Sequence, residues 1–340
     1  MDVATRLIEL GRRAEALQLV NEVLKDRKAA EVENGRAARR AVGNLAKLDL
    51  KAALTSIPDG GERTTNDLRG RIAQDIADVN PAEAERLIGQ MTWDSSEAYV
   101  VRACRRMARV DLPRARKITS AIKSDVLRGY ALGTMAGSLA PGDRATARQL
   151  LADSFESFKR AVEGGRGGVW GGQAAAPMAA ALLPIVERVD PDHLAESIQR
   201  VLALRWFPRS IRDLTMTTPD TSDAEVLRYG AALAALVSRY DHDLARALAQ
   251  PVLAAFRAPL SKDIDRFLDR YAVLPALVLA DPRGTAALAE IIPDLKEEGV
   301  GQSRDMVRYI IARALSAPKS EFWPIIHRCV LDLELVERED

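Results

Sequence analysis

Cysteine is scarce in this chain of 340 residues, and long apolar runs are lacking. Cys104 and Cys329 lie too far apart in sequence to belong to a disulfide framework, so we expect buried free thiols. No stretch approaches the about 18 uncharged apolar residues that a membrane-spanning helix needs. The N-terminal segment has charges too early for a signal peptide, and the expected location is therefore the reducing cytoplasm.

An excess of charge of one sign is lacking too, because 49 Lys and Arg residues face 48 Asp and Glu residues. The resulting net charge of +1 excludes a globally basic nucleic-acid binder but leaves room for a local basic patch. Aromatic residues make up 5% of the chain, whereas Ala, Leu, Arg and Glu are abundant. This composition favours an all-α protein in which many helices pack closely.

The first half of the chain contains a repeat of about 31 residues. Each repeat has an anchor, which is aspartate or asparagine, and an alanine four residues later. The anchors with their alanines are Asp49 with Ala53, Asn80 with Ala84, Asp111 with Ala115, and Asp143 with Ala147. Apolar residues stand eight, seven, four and three positions before every anchor, which is one stripe of an α-helix. A repeat of this length predicts stacked helical hairpins.

Each anchor is predicted to end one helix and to begin the next. Aspartate or asparagine at a helix N-terminus accepts a hydrogen bond from a free backbone amide, which is worth about 1 kcal/mol. Proline directly follows Asn80, and also Asp190 and Asp281 in the second half, where the first turn of a helix tolerates it. Asn80 and Glu83 also fit a capping box. The small alanine then lets the second helix approach the first closely.

The same register continues into the second half with longer spacing, at the anchors Asp190, Asp241 and Asp281. Pro184 and Pro275 both stand six residues before an anchor. Because proline removes an intrahelical hydrogen bond, each is predicted to kink or break a first helix.

A glycine-rich segment at residues 164–172 separates the two halves. It lacks the Lys-Ser or Lys-Thr pair of a phosphate-binding P-loop, and a flexible loop is the simpler interpretation. We therefore expect one α-solenoid over residues 1–340, divided softly into 1–163 with short repeats and 174–340 with longer ones. The anchors predict roughly eight or nine hairpins, the last of them around Pro318.

The first hairpin resembles a known family of helical repeats. A Leu-Gly-Arg turn at residues 10–12 precedes an Ala-Leu pair at residues 16–17, as in the helix–turn–helix of a tetratricopeptide repeat. The later hairpins are similar in plan to tetratricopeptide and HEAT-like solenoids, but they lack the aromatic and glycine positions of the tetratricopeptide consensus. The resemblance implies a right-handed α-solenoid that binds a protein or peptide in its concave groove. It transfers no functional residue.

The strongest electrostatic feature is a basic stretch at residues 102–117. Four of its arginines recur at helical spacing, so they share one face opposite Cys104. The functional interpretation of this face is a site for an acidic protein segment or, alternatively, for nucleic-acid backbone. The competing interpretation is a solvated face whose arginines pair with acids one repeat earlier, such as Asp75 and Glu85. The candidate binding residues are Arg102, Arg105, Arg106, Arg109, Arg116 and Lys117.

Two predicted loops add aromatic candidates. Trp170 lies in the glycine-rich segment and is a candidate binding side chain. Arg205, Trp206 and Arg209 lie in a stretch whose mixture of arginine and aromatics suits acidic peptides, phosphates or bases. Alternatively, Trp206 fills the seam between two repeats.

Motifs for metal binding and catalysis are lacking in the sequence. His193, His242 and His327 are isolated, and none belongs to a zinc-binding pattern. Cys329 follows His327 by two residues, a spacing that points helical side chains apart. We therefore expect no cofactor, no metal and no enzymatic activity. The sequence predicts a protein–protein interaction scaffold, with a helical-repeat nucleic-acid binder as the alternative.

Overall fold

The computed structural model of the chain describes residues 3–25, 35–55, 57, 62–91, 97–140, 142–164, 174–204, 222–257, 270–291, 312 and 316. All regular secondary structure in these ranges is helical, so the expected all-α class is confirmed. The chain divides into two compact units. Unit 1 comprises Met1–Lys123 and Tyr130–Ser154, and unit 2 comprises Ser124–Gly129 and Phe155–Asp340.

Unit 1 consists of consecutive helices that pair through short connections. They are α1 (Val3–Glu9), α2 (Arg13–Lys25), α3 (Gly35–Leu48), α4 (Leu50–Thr55), α5 (Glu62–Ile76), α6 (Pro81–Gly89), α7 (Glu97–Met107) and α8 (Leu112–Ser120). The boundary between the units passes through α9 (Asp125–Leu139) and α10 (Arg144–Glu163). Each first helix packs on its hairpin partner, and α5 also packs against both α3 and α7. Three successive first helices therefore lie side by side.

Unit 2 also consists of consecutive helices. They are α11 (Ala175–Ala181), α12 (Leu183–Val189), a 3-10 turn (Pro191–His193), α13 (Leu194–Ala203), α14 (Ser222–Val237), α15 (His242–Arg257), α16 (Arg270–Ala280) and α17 (Pro282–Ile291). Here α14 packs on its partner α15 and also against α11 and α16. The arrangement again sets first helices next to one another.

The seven anchors occupy the junctions between paired helices, as the sequence predicts. The backbone amide of each anchor donates to the carbonyl oxygen four residues earlier at 2.7–3.0 Å, which closes the first helix. Six anchor side chains then accept a hydrogen bond from the amide three residues later at 2.9–3.2 Å. These six are Asp49, Asn80, Asp111, Asp143, Asp241 and Asp281. One residue thus ends a helix with its amide and begins another with its side chain.

Asp190 departs from this geometry. Its side chain makes no capping hydrogen bond, and its Oδ1 lies 3.1 Å from Nδ1 of His193. A 3-10 turn, Pro191–His193, stands where the other second helices have their first α-helical turn.

The capping box predicted at Asn80 forms in one direction. The amide of Glu83 donates to Asn80 Oδ1 at 3.2 Å. The reciprocal hydrogen bond of a capping box, from the Asn80 amide to the Glu83 carboxylate, is not formed. The Asn80 amide donates instead to the carbonyl oxygen of Ile76 at 2.7 Å. The Glu83 carboxylate accepts two hydrogen bonds from Arg86, at 2.6 and 2.8 Å.

The alanines four residues after five of the anchors are buried. Ala53, Ala84, Ala115 and Ala147 in unit 1 and Ala245 in unit 2 all have 0% relative exposure. Each donates its amide to the carbonyl oxygen of its anchor at 3.0–3.1 Å. The predicted register is therefore confirmed in both units, because these alanines are fully buried.

The two prolines of the second half act differently. The first helix of the Asp190 hairpin breaks into α11 and α12 at Leu182, whose amide forms a short-range bond to Ala179 at 3.0 Å. Pro184 stands at the start of α12, so the break predicted there is confirmed. In contrast, α16 continues through Pro275.

The turn of the first hairpin lies at Gly11, between α1 and α2. Its φ of 74° is in the left-handed region, which favours glycine over residues with a Cβ atom. The turn predicted at residues 10–12 is thus confirmed.

Candidate functional site

One face of each first helix in unit 1 is polar. It consists of the positions nine, six, five and two residues before the anchor, which helical periodicity brings together. We call it the polar face, and its members in register are Arg40, Gly43, Asn44 and Lys47, then Arg71, Gln74, Asp75 and Asp78, then Arg102, Arg105, Arg106 and Arg109. Because α3, α5 and α7 lie side by side, Asp75 of α5 pairs across helices with Lys47 of α3 and with Arg106 of α7.

Asp75 is the centre of this face. Its side chain is 2% exposed, and three cations surround it. Arg71 Nε lies at 2.7 Å from the carboxylate, Arg106 Nη1 at 3.1 Å and Lys47 Nζ at 3.6 Å. A buried charge without partners is costly, so these pairs stabilise the carboxylate in place. Since the cations come from α3, α5 and α7, one carboxylate joins three successive hairpins.

Gly43 on α3 makes room for this carboxylate. A Cβ atom at Gly43 would lie 2.0 Å from Asp75 Oδ2 and 2.8 Å from Arg71 Nε. Glycine inside a helix costs about 0.5–1 kcal/mol relative to alanine. The close approach of Asp75 to the backbone of α3 explains why a glycine stands there.

Two arginines of the basic stretch face the hairpin before them. Arg102 Nη1 donates to Gln74 Oε1 at 3.3 Å. Arg106 Nη1 donates to Gln74 O at 3.2 Å and to Asp75 at 3.1 Å, and its Nε lies 3.5 Å from Asp78 Oδ2. These contacts agree with the competing interpretation, in which arginines pair with acids one repeat earlier.

The basic residues of α8 form a second charge cluster. Arg114 donates to the anchor Asp111 at 2.9 Å and also pairs with Glu85. Lys117 Nζ donates to Glu85 Oε1 at 2.7 Å. Hydrogen bonds from Lys117 and then Arg114 hold the pKa of Glu85 below its ordinary value, and Arg114 does the same for the pKa of Asp111. Here too, cations are neutralised within the molecule.

The remaining candidates of the basic stretch differ in exposure. Arg105 is half-buried, whereas Arg109 and Arg116 are exposed. Neither Arg109 nor Arg116 forms an ion pair with another residue that the structure describes. These two arginines are therefore the cations of this stretch that are best placed to meet a ligand.

An exposed apolar edge adjoins Arg109. Among the described residues, four large hydrophobic side chains are exposed, namely Val3, Leu10, Val79 and Val110. Val79 is 82% and Val110 is 56% exposed, and both stand directly before an anchor, on adjacent hairpins. We call Val79, Arg109 and Val110 the valine–arginine edge. The sequence-based prediction did not include the two valines, because an isolated apolar residue next to an anchor resembles an ordinary core position.

The other sequence candidates belong to different surroundings. Trp170, Arg205, Trp206 and Arg209 lie outside the described residues, as do His327 and Cys329. Cys104 is a buried free thiol, as expected, and burial raises its pKa to about 12. It therefore remains protonated and is a poor nucleophile. His193 and His242 are exposed.

The described part of the chain contains no cluster of His, Cys, Asp and Glu that would hold a metal ion. In the same residues, no helix has the length and apolar character needed to cross a bilayer. No family model, curated protein or solved structure matches this chain. The polar face and the valine–arginine edge are thus interpreted from their own chemistry.

Proposed function

We propose that this protein is a non-enzymatic α-solenoid scaffold that binds a protein partner through the surface of its N-terminal hairpins. In this proposal the hairpins, roughly eight or nine in number, stack into a right-handed superhelix of tetratricopeptide or HEAT-like plan. The main support is the anchor geometry, which recurs with the same hydrogen bonds in successive hairpins of unit 1. Stacking of such units creates an extended surface that suits protein ligands.

The distribution of charge favours a protein partner over a nucleic acid. Arg106, Arg114 and Lys117 already pair with carboxylates of the same unit. Affinity for nucleic acid rises with the number of phosphates that Lys and Arg neutralise, and Arg109 and Arg116 supply few such contacts. The exposed valines beside Arg109 suit the mixed apolar and polar chemistry of protein interfaces.

Capture of the partner from the native host tests this function. The full chain, the double variant Arg109→Glu/Arg116→Glu and the matched control Arg246→Glu/Arg283→Glu would be crosslinked in cells and purified under identical conditions. The control reverses two exposed arginines of unit 2, of which Arg246 forms an exposed ion pair with Asp243 and Arg283 forms none among the described residues. We expect one host protein to be retained by the wild type and by the control but lost by the Arg109/Arg116 variant. This host protein should also bind the wild-type chain when each of the two is purified separately and then mixed.

Two results would contradict the proposal. Retention that nuclease treatment abolishes would identify nucleic acid as the ligand of the basic stretch. Equal retention by all three proteins would show that the basic stretch has no part in binding.

A further inference from the structure

We infer that the valine–arginine edge binds an acidic protein segment that contains aliphatic side chains. The inference rests on the proposed function and specifies the chemistry of the partner. Val79 and Val110 would contact aliphatic groups of the segment, and Arg109 would pair with one of its carboxylates.

The two valines are spaced for a single ligand. Val79 follows α5 and Val110 follows α7, at the same position relative to their anchors. Neighbouring packed helices have axes about 8–10 Å apart. An extended segment covers that distance in about three residues, at roughly 3.3 Å each. One short segment therefore reaches both side chains.

The exposure of these valines is not a consequence of the hairpin plan. Val189 and Ala280 occupy the same position before their anchors in unit 2, and both are buried, at 0% and 4% exposure. Leu48 in unit 1 is half-buried. The hairpin thus allows the position to be covered, and the apolar edge is specific to the α5 and α7 hairpins.

Charge complementarity indicates an acidic ligand. Arg109 precedes Val110 directly and is exposed, with no ion pair among the described residues. Asp78, which precedes Val79, lies 3.5 Å from Arg106 and is thereby neutralised within the unit. The edge therefore combines a positive charge next to Val110 with the exposed aliphatic side chain of Val79 on the neighbouring hairpin. A guanidinium binds a carboxylate through two parallel hydrogen bonds, which selects an acidic side chain over a neutral one.

Synthetic peptides test this chemistry with the full purified chain. The probe is a short fluorescein-labelled peptide in which glutamate and leucine alternate. In the first control peptide glutamine replaces every glutamate, and in the second serine replaces every leucine. A labelled single-stranded RNA of similar length is the fourth ligand. Fluorescence anisotropy at low and at physiological salt measures each dissociation constant.

We expect the glutamate–leucine peptide to bind most tightly of the four ligands. Arg109→Glu should weaken it about fivefold, since it removes one exposed ion pair and adds a repulsion. Val79→Ser and Val110→Ser should each weaken it about threefold through lost apolar contact. Arg283→Glu in unit 2 should leave it unchanged. All four sites are exposed, so circular dichroism should show unaltered folding.

Equal binding of the three peptides, or tighter binding of the RNA, would overturn the inference. So would peptide binding that survives all three substitutions at the edge. These outcomes are separable from those of the capture experiment. A host protein that depends on Arg109 and Arg116, combined with peptides that do not discriminate, would remove this inference and leave the scaffold function standing.

Discussion

The first helices of unit 1 and unit 2 differ in chemistry at the same register positions. In α7, the positions nine, six and five residues before the anchor are all arginine, and the polar face continues from them to Asp75. In α14, the same positions are apolar and buried. They are Ala232, Ala235 and Leu236, at 1%, 0% and 3% exposure. The anchors and the alanines after them, in contrast, have the same geometry in both units. The hairpin and its surface are thus specified by separate residues.

A buried aspartate appears in each unit, but its partners differ. Asp75 contacts three cations from three helices. Asp281, at 4% exposure, caps α17 through Gly284 and accepts a hydrogen bond from Gln250 at 3.0 Å. The buried carboxylate of unit 1 therefore joins hairpins through charge, whereas that of unit 2 meets a neutral amide, and the ion pair between Arg239 and Glu187 that links two hairpins of unit 2 is exposed.

The largest effect is expected from Asp75→Ala. Removing the carboxylate leaves partly buried cations without their common partner, which should cost about 3 kcal/mol of the free energy of unfolding. Asp281→Ala removes a cap and one neutral hydrogen bond and should cost about 1–2 kcal/mol. Urea denaturation followed by circular dichroism measures both. Equal losses of unfolding free energy in the two variants would contradict the stronger role proposed for the Asp75 carboxylate.

Replacing the buried alanine after an anchor with a larger residue should lower the free energy of unfolding by a similar amount in both units. Ala115→Phe and Ala245→Phe place an aromatic ring where the wild-type residue is fully buried, and overpacking should cost about 1–3 kcal/mol in each case. Ala145→Phe is the control, because Ala145 is exposed on α10, and its effect should stay within about 0.5 kcal/mol. If either buried alanine tolerated phenylalanine, the register of that hairpin would be wrong.

Gly43→Ala should destabilise unit 1 by about 1–2 kcal/mol. Its Cβ atom would lie 2.0 Å from Asp75 Oδ2, and the cost of displacing that carboxylate exceeds the gain in helix propensity. Gly89→Ala is the matched control, since no atom lies within 4 Å of the added Cβ. The control should be neutral or slightly stabilising in the same denaturation measurement. A stabilising Gly43→Ala would show that Asp75 does not approach α3 this closely.

The smallest effects concern the caps. Asp143→Ala should lower the unfolding temperature, because its side chain accepts a hydrogen bond from the amide of Thr146 at 3.0 Å and alanine removes this cap. Asp190→Ala should cost less, within about 0.5 kcal/mol, since Asp190 makes no capping bond. Thermal unfolding of the two variants gives the comparison. A larger loss at Asp190 would mean that its contact with His193 replaces the cap in full.

The cap of Asp143 also has a pH dependence with a defined sign. The hydrogen bonds from Thr146 lower the pKa of Asp143 below its ordinary value of 3.8. The stabilisation is therefore present above that value and is lost as the pH falls through the lowered pKa. The free energies of unfolding of the wild type and of Asp143→Asn should converge in strong acid, and the wild type should gain stability relative to the variant above pH 4. Urea denaturation at a series of pH values would measure this difference.

Local signals in the sequence predict the hairpins, whereas they do not decide whether the arginines of the basic stretch pair with acids of the preceding repeat or with a ligand. An anchor, a following proline and an alanine act within one turn, so their roles can be inferred from spacing. Arg106 and Asp75 are 31 residues apart, and their contact depends on how hairpins stack. The roles of Gly43 and of the exposed Val79 depend on the same stacking, and sequence reasoning missed both. Pro184 and Pro275 share one position before their anchors and one prediction, a kink or a break: Pro184 lies at the break between α11 and α12, whereas α16 has no break at Pro275.

Hydrogen exchange of Asp75→Ala, measured by mass spectrometry on the full chain, tests most directly whether one carboxylate joins three hairpins. The amides of α3, α5 and α7 should all exchange faster than in the wild type, while those of α14 and α16 keep their wild-type rates. Faster exchange confined to α5, or spread equally over both units, would contradict this account.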